Sequence, residues 1–193
     1  MQSLKGQFLI AMPQMNDSRF ERSVIFMVDH NEQGAMGLIV NKPLDDLNFG
    51  DVLDDLDLAP DEESEDHPVF ARELPVWNGG PVEPGRGFVL HSADYYQQGA
   101  SVRIRSDIVL SANHDILSAI ATEHGQPDKS LFALGYAGWG PGQLDVEMAE
   151  NAWLNVKGDA SLVFSVPADQ RYMQALASIG LNPANLSGEA GLA

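Results

Sequence analysis

Residues 23–43 read SVIFMVDHNEQGAMGLIVNKP, and this stretch decides the fold class. Its first part, residues 23–28, is apolar and β-branched, which is typical of a buried strand. Gln33 and Gly34 mark a turn, and residues 36–40 (MGLIV) form a second apolar run. Two such runs joined by a short turn that contains glycine predict a β-hairpin.

Short strands and amphipathic helices are predicted on both sides of this hairpin. Apolar runs predict strands at residues 8–10, 76–77, 87–90, 102–105, 108–110, 131–134, 153–156 and 162–166. Apolar residues at helical spacing predict helices near residues 49–56, 116–121, 144–148 and 169–179, the last with Tyr172, Met173, Leu176 and Ile179 facing inward. Many short strands with interspersed helices predict an α+β fold, with a mixed, largely antiparallel sheet that curls toward a barrel.

Length and composition limit the possible classes of protein. The chain has 193 residues and no cysteine. We expect a single domain over residues 1–180 and a frayed tail at residues 181–193. The absence of cysteine excludes thiolate metal sites, iron–sulfur clusters and redox dithiols. Since no signal peptide or long apolar run is recognisable, we expect a cytoplasmic location.

The charge is strongly negative. The chain carries 28 acidic and 11 basic residues, a net charge of −17. Such a chain repels nucleic acid and anionic membranes, so we expect neither as a direct partner. Residues 45–66 contain many acids and no Lys or Arg, which indicates a solvated helix face followed by an acidic loop. An EF-hand that begins at Asp55 is excluded, because its sixth position is Pro60 rather than glycine.

Four blocks of the sequence together resemble one known family. They are FLIAMPQM (8–15), the hairpin stretch at 23–43, WNGGPVEPGRGFVLHS (77–92) and ALGYAGWGPGQLDVEMAENAWL (133–154). Their order and spacing are similar to the YqgE/AlgH family, which is bacterial, largely uncharacterised and sometimes labelled a putative transcriptional regulator. The resemblance covers roughly residues 4–180 and implies an α+β fold whose bifurcated sheet forms a pseudo-barrel with flanking helices. Asp145 and Tyr172 depart from the family's usual Glu and Trp.

The glycine-rich segments fit no known phosphate-binding motif. Residues 138–143 (GWGPGQ) lack the third glycine of a dinucleotide fingerprint, and the chain has no P-loop Lys. Gln143 and Glu147 share one helix face, which indicates either a polar site or a solvated surface. Arg86 is an isolated base that either holds an anionic ligand or pairs with a neighbouring acid.

No catalytic or metal-binding constellation is recognisable. The histidines are not spaced as helical metal ligands, although a site built from His30, His91 and a distant carboxylate stays open. No serine lies in a nucleophile elbow. We therefore expect no catalytic residues, no cofactor and no transition metal.

Three functions follow from these observations, in order of preference. The first is a non-enzymatic binding or regulatory protein, with an unknown protein or small molecule as its partner, in which exposed tryptophans on rigid glycine-rich loops act as anchors. The second is an enzyme acting on a small metabolite in a polar pocket near residues 138–143. The third is a direct DNA-binding regulator, which the charge opposes. The candidate surface comprises Gly79, Gly80, Pro81, Arg86, His91, Tyr136, Trp139, Gly140, Gln143 and Glu147.

Overall fold

A computed structural model gives the fold, and it describes residues 2–58, 69–122 and 126–181. The chain forms two compact units: Met1–Asn41 with Ala137–Ala193, and Lys42–Tyr136. The single domain over residues 1–180 stays a prediction. The predicted acidic loop at residues 61–66 and the predicted tail beyond Leu181 lie outside the described residues.

The described elements alternate irregularly between strands and helices. In chain order they are β1 (Phe8–Ala11), β2 (Val24–Asn31), β3 (Gly34–Ile39), β4 (Pro43–Asn48), α1 (Phe49–Asp55), α2 (Val69–Arg72), β5 (Pro75–Asn78), β6 (Val82–Ser92), β7 (Ser101–Arg103), β8 (Ile108–Ser111), α3 (His114–Thr122), β9 (Ser130–Trp139), α4 (Gln143–Ala149), β10 (Trp153–Val156), α5 (Ser161–Phe164) and α6 (Ala168–Ala177). A single 3₁₀ turn at Ser18–Phe20 precedes β2.

The first unit is an antiparallel sheet in the order β10-β1-β2-β3-β9, to which β9 contributes its last residues. The predicted hairpin of β2 and β3 is confirmed, with Asn31 paired to Gly34 across the turn. Gly34 has a φ of +138°, and a Cβ there would lie 2.4 Å from the carbonyl oxygen of Trp139. The turn therefore requires glycine both for its backbone angle and for the close approach of β9.

Two buried side chains of helix α6 connect it to other segments of the first unit. Arg171 Nε donates to the carbonyl of Val166 (2.8 Å), and Arg171 Nη1 donates to the carbonyl of Val40. Tyr172 donates its hydroxyl proton to the carbonyl of Ala11 (2.8 Å). Burial lowers the pKa of the Arg171 guanidinium to about 10, so it remains charged at neutral pH while it satisfies these carbonyls.

The second unit is a mixed sheet covered by α1 and α3. Residues 130–136 of β9 lie between β5, which runs parallel to β9, and β6, which runs antiparallel; Phe132 pairs with Val76 on one side and with Val89 on the other. The sheet continues through β8 to β7, and β4 pairs with β5. Because β9 pairs within both units, the predicted bifurcated, largely antiparallel sheet and the α+β class are confirmed.

Helix α1 begins at a capping box that the sequence encodes. The Asn48 side chain accepts a hydrogen bond from the Asp51 amide (3.0 Å), and the Asp51 carboxylate accepts one from the Asn48 amide (2.9 Å). This reciprocal pair satisfies two amides that have no partner within the helix. The helix then buries Phe49 and Leu53 against α3 and the sheet.

Two local predictions are wrong. Residues 162–166 were expected to form a strand, but Ser161–Phe164 is helix α5, since a short apolar run does not distinguish a buried strand from a buried helical turn. Met173 and Ile179 of the last predicted helix are 43% and 39% exposed rather than inward. Tyr172 and Leu176 are buried as predicted, and Arg171 is buried beside them, where it donates hydrogen bonds to backbone carbonyls.

The described residues contain no helix with the length and apolarity needed to cross a membrane.

Candidate functional site

The predicted site residues are divided between the two units. Trp139, Gly140, Gln143 and Glu147 belong to the first unit, and Gly79, Gly80, Pro81, Arg86, His91 and Tyr136 belong to the second.

In the first unit, Glu147 joins two tryptophans. Its Oε2 accepts hydrogen bonds from the indole nitrogens of Trp139 (2.9 Å) and Trp153 (2.8 Å), whose rings meet edge to face. Its Oε1 accepts from Gln143 Nε2 (2.8 Å), and Gln143 Oε1 in turn accepts from the Gly140 amide (3.0 Å). Both carboxylate oxygens are thus engaged, Oε2 with the indoles of β9 and β10 and Oε1 within α4.

The two tryptophans that flank the glycine-rich segments were expected to be exposed anchors, but Trp77 and Trp139 are each 7% exposed. Trp153, which lies in an apolar strand where core packing was expected, is 2% exposed. Residues 138 and 139 belong to strand β9 rather than to a loop, so the connection to α4 is only Gly140, Pro141 and Gly142. The expectation of exposed anchors is wrong, because β9 continues beyond the predicted strand and carries the Trp139 ring into the core.

The Gly79–Gly80–Pro81 turn has a structural reason for its glycines. A Cβ on Gly79 would lie 2.2 Å from the carbonyl oxygen of Gly135, and Gly80 has a φ of +149°. Gly135 itself has a φ of +72°, and a Cβ there would lie 2.3 Å from the carbonyl oxygen of Gly80. These residues allow two backbone segments of the second unit to approach closely.

His91 lies in a buried hydrogen-bond chain. Its Nδ1 contacts the carbonyl oxygen of Ser92 (3.0 Å), so this nitrogen carries the proton and Nε2 accepts from the Ser111 hydroxyl (2.9 Å). Ser111 then accepts from the Ser101 hydroxyl (2.8 Å), which itself accepts from the Gln97 amide (3.0 Å). With a neutral imidazole, each group in this chain has one defined donor role.

This histidine and serine do not form a nucleophilic pair. His91 and Ser111 are 0% and 1% exposed, so no substrate reaches the serine hydroxyl. Burial lowers the pKa of His91, although the Ser92 carbonyl and the charge of Asp94 oppose this shift. This chain of hydrogen bonds joins β6, β7 and β8, and the burial of His91 favours the neutral imidazole.

The second unit also contains a cavity of about 410 Å³. Its walls come from β4 and α1, from β6, from the start of α3 and from β9, and are mostly apolar; Val52, Val89, Leu117 and Phe132 are representative. Four polar residues complete the lining, namely Asp55, Arg86, Asn113 and His114. Of the predicted site residues, Arg86 alone lies on this wall.

Arg86 reaches the cavity because β6 contains an enlarged bulge. Val82 pairs with Tyr136 and Gly87 pairs with Leu134, so residues 83–86 stand opposite the single residue Gly135. Bulges of this kind redirect side chains and are frequent beside binding sites. The Pro and Gly of the EPGR sequence at 83–86 are compatible with a bulge, but its size and position follow from the pairing of β6 with β9.

No metal site is found in the part of the chain that the structure describes. No group of three His, Asp or Glu side chains is close enough there to hold an ion. His30 Nδ1 accepts a hydrogen bond from the Leu4 amide (3.1 Å), and His91 uses both ring nitrogens as described. The open possibility of a site built from His30 and His91 therefore gains no support from their contacts.

A family model described as AlgH-like matches residues 8–184. The chain belongs to the AlgH-like family. A UPF0301 protein of Bradyrhizobium diazoefficiens is 48% identical over 188 residues, which cover 97% of this chain and 87% of that protein. A UPF0301 protein of Rhodopseudomonas palustris is also 48% identical, with 97% of this chain and 86% of that protein covered.

Solved structures of similar proteins have the same fold. The solution structure of AlgH from Pseudomonas aeruginosa superimposes with a TM-score of 0.78 at 40% identity, covering 100% of this chain and 97% of AlgH. A crystal structure of a protein from Corynebacterium diphtheriae has a TM-score of 0.72 at 19% identity, covering 97% of this chain and 92% of that protein, which supports the fold alone. The AlgH-like family is uncharacterised, so the function must be argued from the site.

Sequence reasoning missed most of the cavity wall in this AlgH-like chain. Val52, Leu117 and Phe132 have the spacing and composition of ordinary core residues, and they also contribute to the core of the second unit. Arg86 was among the predicted site residues only as an isolated base, without the cavity that it lines.

Proposed function

We propose that this AlgH-like protein is a non-enzymatic binding protein, and that the cavity of the second unit receives the apolar part of a small molecule. The observation that carries the proposal is the cavity itself. Its volume of about 410 Å³ lies in the range of roughly 300–1,000 Å³ that is typical of small-molecule sites. Its apolar walls with a few polar groups match the composition of such sites.

The side chains favour binding over catalysis. The residues that line the cavity include no Ser, Thr, Tyr or Lys, so the described wall offers no hydroxyl or amine nucleophile. The alternative of an enzyme near residues 138–143 relied on Gln143 and Glu147. Both side chains are engaged with each other, and Glu147 also with the two indoles, which leaves that alternative with less support.

A pair of matched glycine substitutions tests the proposal. A Cβ at Gly85 would meet no atom within 4 Å, and Gly85 lies on the cavity wall. A Cβ at Gly140 would meet only Gln143 Oε1, at 3.7 Å, and Gly140 lies in the connection of the first unit. Neither glycine has a positive φ, so both positions accept a side chain without backbone strain.

The measurement uses n-octanol as a probe, followed by amide chemical shifts in ¹H–¹⁵N spectra. We expect octanol to shift the amides of Val89, Leu117 and Phe132 in the wild type and in Gly140→Trp, and to lose this effect in Gly85→Trp. Shifts that disappear in Gly140→Trp and persist in Gly85→Trp would return the site to the glycine-rich connection of the first unit. No saturable shift at the cavity in the wild type would refute the proposal.

A further inference from the structure

We propose that the ligand of the cavity carries an anionic group of the carboxylate class, and that Arg86 is the residue that selects it. In this structure the carboxylate of Glu83 pairs with Arg86. This inference rests on the proposed function, and it adds the chemical class of the ligand and a specificity-determining residue.

The backbone places Arg86 and Glu83 together at one edge of the cavity. Both residues belong to the bulge at 83–86, where four residues stand opposite Gly135. Glu83 has a φ of +47°, an unfavourable angle for a residue with a side chain. Such strain persists only where the surroundings enforce it, and it is concentrated at binding sites.

The Arg86 side chain is oriented before any ligand arrives. Its guanidinium lies over the ring of Phe88, 5.2 Å from the ring centroid, and its Nη1 donates to Glu83 Oε2 at 3.1 Å. This bond uses one of the five N–H donors of the guanidinium, so the planar fork that pairs with a carboxylate in two places is still available. An oriented donor loses less conformational entropy when a ligand binds.

The Glu83–Arg86 pair is weak enough to be exchanged. The two side chains are 51% and 58% exposed, and ion pairs in such positions contribute little to stability. A ligand carboxylate whose apolar part fills the cavity would meet Arg86 at the cavity wall, and charge-assisted hydrogen bonds are stronger where water is excluded. The ligand carboxylate therefore competes with Glu83 for Arg86.

The other charged groups of the wall are less suited to select a ligand. Asp55 could attract a cation, but no described hydrogen bond or ion pair fixes its carboxylate. His114 is exposed at the first residue of α3. Arg86, held by two contacts, is the pre-organised charge among the described residues of the wall.

Three probes with the same chain and different head groups provide the test, namely octanoate, n-octanol and octylammonium at pH 7. Dissociation constants come from amide shifts at Val89 and Leu117. We expect octanoate to bind about tenfold more tightly than octanol, the effect of one charge-assisted hydrogen bond that is partly exposed. Arg86→Gln should make the two affinities equal, and Glu83→Gln should strengthen octanoate binding alone.

Arg103→Gln is the matched control. Arg103 is also an exposed arginine of the second unit that lies over an aromatic ring, at 5.3 Å from Tyr96, but it does not line the cavity. The Arg103→Gln substitution changes the net charge by the same amount as Arg86→Gln, and we expect this variant to keep the preference for octanoate. The amide spectra of all variants verify that they are folded.

The remaining outcomes are distinguishable. Equal binding of octanoate and octanol in the wild type, tighter binding of octylammonium, or a preference for octanoate that survives Arg86→Gln would overturn the inference and leave the cavity as a binding site. Failure of all three probes to bind in the cavity would overturn the proposed function and this inference with it.

Discussion

At the scale of single residues, the structure gives Trp139, Glu147 and His91 different roles from those that the sequence predicted. Trp139 and Glu147 are close in the structure, as their positions suggested, but the indole is buried and the carboxylate serves as its acceptor. A glycine-rich flank does not distinguish an exposed aromatic residue from one that ends a strand. His91 belongs to the predicted candidate surface, but it is buried at the end of a hydrogen-bond chain of two serine hydroxyls.

Trp139→Ala should cost about 3–5 kcal/mol of unfolding free energy, the usual loss for a large aromatic side chain removed from a core. Trp139→Phe should cost about 1–2 kcal/mol, because it keeps most of the ring but leaves Glu147 without one donor. Urea denaturation measures both values. Val146→Ala is the control on α4, where the side chain is 57% exposed, and it should change stability by less than about 0.5 kcal/mol. A similarly small loss for Trp139→Ala would show that the indole is not part of the core.

His91 should make stability depend on pH. Its folded-state pKa is lowered from the ordinary value of 6.5. As the pH falls, the imidazole therefore takes up its proton in the unfolded chain before it does so in the folded chain. The contribution of the neutral imidazole is complete above pH 6.5 and is lost as the pH falls toward the folded-state pKa, at a limit of about 1.4 kcal/mol per pH unit.

His91→Gln should therefore flatten the decline in stability between pH 7 and pH 5, apart from any constant loss. Guanidinium denaturation at a series of pH values measures the difference between the two proteins, in which the carboxylates common to both cancel. His114→Gln, at an exposed position, should keep the wild-type slope. A wild-type slope in His91→Gln would contradict the buried neutral imidazole.

At the scale of elements, the sequence predicted those whose pattern is long or has a clear terminal signal. The hairpin of β2 and β3 and helix α1 are examples, since two apolar runs joined by a turn predict the first and apolar residues at helical spacing predict the second. Helix α5 was mistaken for a strand because four residues carry no period. The end of β9 and the bulge of β6 depend on pairing between distant strands, which a local pattern does not contain.

The bulge of β6 leads to a prediction about Gly135. A Cβ at this position would lie 2.3 Å from the carbonyl oxygen of Gly80, and the residue has a φ of +72°. Gly135→Ala should therefore lower the free energy of unfolding by about 2 kcal/mol or more. Gly85→Ala within the bulge has open space and should be neutral or stabilising by up to about 1 kcal/mol. Thermal unfolding of the two variants measures the contrast, and equal stability would show that β9 does not require glycine opposite the bulge.

At the scale of the whole molecule, composition and charge were informative without any structure. The four sequence blocks were sufficient to recognise the family, because their order over most of the chain is more specific than any one motif. The cavity was not predictable, since its wall is built from ordinary core residues of several elements. A net charge of −17 nevertheless restricts the partners of any site on this protein.

The charge predicts that the protein does not bind duplex DNA at physiological salt. Specific DNA-binding proteins neutralise several phosphates with clustered Lys and Arg side chains, and their affinity increases as salt is lowered. Here α3 carries neither Lys nor Arg, and the arginine of α6, Arg171, is buried and bonded to backbone carbonyls. Arg72 of α2 pairs with Asp54. The described helices therefore offer no basic face to a groove.

A fluorescence anisotropy titration of labelled duplex DNA at low salt is the most permissive test of this prediction, because electrostatic attraction is least screened there. We expect no saturation at micromolar protein. A basic helix-turn-helix domain on the same duplex serves as the positive control. Sequence-specific binding at submicromolar protein, resistant to unrelated competitor DNA, would contradict the charge argument and support a direct regulator. Absence of binding would agree with the net charge of −17 and with the lack of a basic face on the described helices.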